Sequence, residues 1–160
     1  MDISFLSDSL PLVGLYFITF SVCLVSAIVP VMVVELFLVS VSALSSPAAV
    51  AGVILSGALG QIAGKFVVYL SGYGLLRLPF KRYETKLDRI REKFQKWRSE
   101  PALLILFSGF SGIPPFYGTS LFSGLIKISP LTFAFAGFFG LLLRFTIVIL
   151  FPQVIKRFLL

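Results

Sequence analysis

The chain has 160 residues, 58% of them hydrophobic, a mean hydropathy of +1.01 and a formal net charge of +7. So much apolar surface exceeds what a soluble core of this size can enclose, and the composition reads as a polytopic, all-α membrane protein with one membrane domain, residues 1–160. Histidine is absent and Cys23 is the only cysteine, which excludes an intrachain disulfide and leaves no ligand set for zinc, so no metal, cofactor or catalytic residue is expected.

The basic charge invites a nucleic-acid reading, but nine of the fourteen Lys and Arg residues fall between Arg77 and Arg98. That concentration fits the cytoplasmic loop of the positive-inside rule, and nucleic acid is not an expected partner. Three charge-free runs, Ser9 to Val34, Leu36 to Gly64 and Pro101 to Ile126, each exceed the roughly 20 residues a helix needs to cross a bilayer.

Asp2 and Asp8 stand at the N-terminus and no Lys or Arg precedes Lys65, unlike the basic start of a secretory signal, so the first helix is expected to stay attached. Phe20-Ser-Val-Cys23 lacks the small residue that lipoprotein processing wants just before its cysteine. The first membrane helix is placed at 10–29, with Pro11 in its first turn. Residues 30–46 begin at Pro30, carry Glu35 in the middle and end on the turn signal Ser45-Ser46-Pro47. They read as a re-entrant segment at least as readily as a bare crossing.

A second membrane helix is placed at 47–76. Its small residues Gly52, Ser56, Gly60 and Gly64 recur every four positions on one face, a flat ridge for close helix packing. From 77 to 100 the pattern changes: Phe80, Tyr83, Leu87, Ile90, Phe94 and Trp97 line one face and basic residues fill the rest. This reads as an interfacial amphipathic helix on anionic headgroups, or as a solvated linker helix packed on the protein.

Residues 101–127 are apolar enough to enter a membrane but are broken. Pro115 removes a backbone donor and clashes with the preceding turn, while Pro114 is pushed out of the helical region by the proline after it. Gly109, Gly112, Gly118 and Gly124 lower helix propensity on both sides. In hydrocarbon such backbone is tolerated only where protein or a water-filled cavity satisfies it, so a second re-entrant segment is expected with a site nearby. Ser129 and Pro130 open a last helix, 129–151, which Pro152 is expected to end. If the basic loop is cytoplasmic and both broken segments are re-entrant, they enter from opposite faces as inverted repeats.

Four ionisable residues sit inside the apolar runs: Glu35, Lys65, Lys127 and Arg144. Each costs on the order of 2.5–3.5 kcal/mol near a helix centre unless pairing, snorkelling or water offsets it. All four are candidates for a substrate or proton site near a headgroup path between the two broken segments; Glu35 and Arg144 are the strongest pair, with a structural ion pair as the alternative, and Lys127 is equally placed to snorkel to an interface. Three cations against one acid suit an anionic group such as a lipid phosphate.

Pro30 followed by Glu35, then Gly60-x3-Gly64-x4-Tyr69-x2-Gly72, then Ile113-Pro114, then Ser123-Gly124-Leu-Ile-Lys127-Ile-Ser-Pro-Leu-Thr-Phe133 resemble the DedA-like family of the VTT (SNARE-associated) superfamily. The resemblance runs from about Ile28 to Arg144. It implies two opposed re-entrant segments among membrane helices and an activity in moving lipids, phospholipids or polyprenyl-phosphate carriers, between leaflets, with proton coupling left open. By position Glu35 matches the acid of the first re-entrant segment and Lys127 a basic residue after the small-Gly pair. Where bacterial members carry arginines this chain has Ser111 and Tyr117, and where they carry an acid it has Lys65.

The expectation is a multi-pass protein of the cell membrane whose partners are membrane lipids with anionic headgroups. Homo-oligomerisation stays open, as do a small-solute or ion transporter and a non-transporting scaffold. An enzyme is not expected, because no acid–base pair or nucleophile–base arrangement is present.

Overall fold

The computed structural model describes residues 3–29, 34–74 and 100–159, with side chains described for 12–29, 34–74 and 100–151. Helices are the only regular structure among these residues. They are α1 (Ile3–Ile28), α2 (Val34–Leu44), α3 (Pro47–Gly72), α4 (Pro101–Ser111), α5 (Phe116–Leu125) and α6 (Pro130–Leu159). Pro30 and the amphipathic stretch before Glu100 lie outside the described residues.

Prolines start three of these helices, Pro47, Pro101 and Pro130, where their missing N–H has no helical partner to lose. Ser129 stands at the N-cap of α6, its carbonyl accepting the Phe133 N–H at 3.0 Å. Two other prolines do not act as boundaries. The expected first-turn role of Pro11 is corrected by an α1 that begins at Ile3, and the expected stop at Pro152 by an α6 that continues to Leu159. An interior proline deletes one i→i−4 bond and crowds one carbonyl, and helical residues on both sides sustain the remaining ladder. The long helix at 47–76 ends at Gly72 instead, with a turn through Gly74 at φ +88°.

Two spans, Pro47–Gly72 and Pro130–Phe151, are long and apolar enough to cross a membrane. The helices group into two compact units, one of Met1–Gly64 with Leu142–Leu160 and one of Lys65–Leu141. In the first, α1 lies along the glycines of α3. A Cβ on Gly60 would overlap the Phe20 carbonyl, one on Gly64 the Leu24 carbonyl and Ala27, and one on Gly52 the Tyr16 ring. Gly57, outside the expected ridge, faces Leu38 of α2. Polar groups inside this packing bond locally: Gln61 Nε2 donates to Ser26 Oγ at 3.2 Å, and Ser26 Oγ donates to the Cys23 carbonyl at 3.0 Å.

In the second unit the end of α3, α5 and the start of α6 enclose a set of aromatic rings. Tyr69 stacks on Phe133 at 4.7 Å between centroids and on Phe66 at 5.4 Å, and Phe116 stacks on Phe133 at 6.1 Å. Each such pair contributes about 0.5–1.5 kcal/mol beyond its buried area. The fully buried Tyr69 hydroxyl donates to the Ile128 carbonyl at 2.5 Å, so the ring is held without an unpaired polar tip. Gly109 of α4 meets Gly137 and Gly140 of α6, which brings those two backbones together.

Candidate functional site

The broken stretch at 101–127 is a hairpin of two short helices. After Ser111 the chain passes through Gly112 in the left-handed conformation, φ +75°, with its N–H bonded to the Ser108 carbonyl at 2.9 Å. Glycine takes this C′ position without a Cβ penalty. The Ile113–Pro114 bond is cis, and α5 starts after Pro115.

Prolines at the turn leave carbonyls without matching donors nearby, and hydroxyls from the two helices supply them. Ser108 Oγ donates to the Pro114 carbonyl at 2.7 Å and lies 2.8 Å from Thr119 Oγ1. Ser108 has one hydrogen and gives it to the carbonyl, so Thr119 is the donor of the second bond. Ser111 Oγ accepts the Ile113 N–H at 3.1 Å. The hairpin's own hydroxyls thus supply hydrogen bonds to a turn whose Ile113 is exposed. Replacing Thr119 by Val keeps the shape and deletes the donor. We expect a loss of about 1–2 kcal/mol in detergent melts of the purified protein, and no loss for the exposed Ser40→Ala.

Lys65 is 7% exposed on α3 and its Nζ lies 4.9 Å from the centroid of the Tyr117 ring, in the first turn of α5. An ammonium over an aromatic face is held by the ring quadrupole, more strongly where water is excluded. Because Tyr117 is in the first turn of α5, the Lys65 ammonium and the positive end of that helix lie in one locality, and Pro115 at its N-cap adds no capping side chain. Lys65 and Tyr117, two of the three positions singled out above as departing from the resembled pattern (the third is Ser111), are thus in contact with each other.

Lys127 is exposed and sits just beyond the C-terminus of α5 with φ +56°. Its N–H bonds to the Gly124 carbonyl and the Ile128 N–H to the Ser123 carbonyl, both at 3.0 Å. This is the Schellman pattern with lysine at the position glycine usually takes. Its Nζ lies 6.0 Å from the Tyr73 ring centroid.

In the first unit, Arg144 Nη2 of α6 donates to Glu35 Oε1 in the first turn of α2 at 2.5 Å, each side chain being 29% exposed. The acid also lies where the helix dipole favours negative charge. Of the four charges singled out within the apolar runs, Glu35 and Arg144 meet one another, while Lys65 and Lys127 each meet a tyrosine of the second unit. Sequence reasoning did not single out Ser108 and Thr119; a hydroxyl on each side of a Pro-Pro break is the signal that pointed to them.

Compared with family models, curated proteins and solved structures, the chain matches none.

Proposed function

We propose that the chain is a multi-pass membrane protein of DedA/VTT type that moves lipids with a phosphate headgroup between leaflets. The observation that carries this reading is the α4–α5 hairpin. Its helices have 11 and 10 residues, about 15–17 Å each at 1.5 Å per residue, half the roughly 30 Å of a hydrocarbon core. Neither crosses alone, and together they form a re-entrant hairpin whose turn is supplied with hydrogen bonds by its own hydroxyls. Half-helix N-termini at the midplane are where transporters of this design receive anionic groups, and here Lys65 adds an ammonium beside the first turn of α5.

In proteoliposomes, leaflet exchange of fluorescent phospholipid or polyprenyl phosphate is expected above the protein-free rate. Lys65→Met should slow it roughly tenfold, the kinetic equivalent of about 1.4 kcal/mol, while Lys65→Arg retains most of it. Ion flux without lipid exchange would reassign the protein as an ion transporter, and neither activity would leave a scaffold.

A further inference from the structure

We infer that Lys127 is a built-in counter-cation for two helix C-termini that the fold presses together. Gly72, the last residue of α3, and Leu125, the last of α5, are in backbone contact: a Cβ on Gly72 would stand 3.2 Å from the Leu125 nitrogen and would overlap the Leu121 carbonyl. Gly124 meets Tyr69 and Tyr73 in the same way. Turn bonds satisfy several of the last carbonyls, among them Ser123 and Gly124 of α5 and Tyr69 and Ser71 of α3, but each helix end still carries the negative pole of its dipole, about half a charge. Setting two such ends side by side concentrates negative potential at one place, and half-helix C-termini in transporters commonly hold a monovalent cation there.

Lys127 fits that need on two counts. Its backbone occupies the left-handed C′ position of α5, a conformation that disfavours side chains other than glycine, so something besides backbone preference accounts for a lysine here. Its ammonium lies 6.0 Å from the ring centroid of Tyr73, the residue immediately after the last of α3, so the charge stands in the neighbourhood where the two helices end. The ammonium takes the place a free sodium or potassium ion would otherwise fill. This assignment does not depend on lipid transport.

The test holds the backbone strain constant by comparing Lys127→Gln with Lys127→Arg. In detergent melts at low salt, Lys127→Arg should match the unmodified protein and Lys127→Gln should melt about 3 °C lower, the order of shift a lost charge–dipole contact gives in a chain of this size. Sodium or potassium chloride should raise the Lys127→Gln melting temperature more than choline chloride at equal ionic strength, and should not do so for the unmodified protein. A Lys127→Gln protein that melts with the unmodified one, or a deficit that sodium repairs no better than choline, overturns the inference.

Discussion

Gly124→Leu is expected to yield little or no folded protein. A Cβ at this position would overlap the Tyr69 carbonyl oxygen and stand 2.7 Å from the Tyr73 nitrogen and 3.0 Å from the Gly72 carbonyl carbon. These are backbone atoms, which cannot rotate away as a side chain would. Overpacking a core usually costs 1–3 kcal/mol because side chains find new rotamers. Here α3 and α5 must separate, which also takes apart the Tyr69 hydrogen bond to Ile128 and the stack on Phe133. Against a total stability of roughly 5–15 kcal/mol that loss is decisive. Even Gly124→Ala supplies the colliding atom. Gly118 lies on the same helix, but nothing stands within 4 Å of a Cβ there, and Gly118→Ala should be neutral or stabilising by up to about 1 kcal/mol. Size-exclusion profiles and melting temperatures in detergent would check the contrast. A monodisperse Gly124→Leu protein that melts with the parent would mean that the two helices do not touch at this point.

That contact shows what could and could not be read along the chain. The break at Pro114-Pro115 was legible because proline acts on its own neighbours, and the starts at Pro47 and Pro130 for the same reason. The glycines at 52, 60 and 64 declared a flat face by spacing alone. What lay against that face, Tyr16, Phe20 and Leu24 of α1, was set by a tertiary pairing that no local pattern encodes. Gly72 and Gly124 belong to the same category: each reads as a weak helix position until the other is placed beside it. Pro11 and Pro152 misled because a proline signal is strong locally, yet the helix around it is cooperative and tolerates one lost bond. Lys127 was legible as a charge out of place, but its left-handed backbone was not, since lysine gives no hint of it.

The charges at 35 and 144 invite the second large effect. Arg144→Met alone is expected to destabilise the protein by about 3 kcal/mol, near the lower end of the cost of stranding one partner of a desolvated pair, because each side chain keeps 29% exposure. Glu35→Gln alone should cost less, since a neutral amide still accepts a hydrogen bond from the guanidinium and strands a cation that can be partly solvated. The double variant Glu35→Gln with Arg144→Met removes both charges, and its loss of stability should be smaller than the sum of the single losses by about 1–3 kcal/mol of coupling. Reading leaflet exchange on the same three proteins separates a structural pair from a working one. If the pair only joins α2 to α6, exchange returns with stability in the double variant. If the carboxylate or the guanidinium handles headgroup or proton, stability returns and exchange does not. Among the described residues the pair makes one Nη2–Oε1 contact, and a guanidinium and a carboxylate have donor and acceptor positions beyond that one bond, so exchange measured on the double variant decides between the two outcomes.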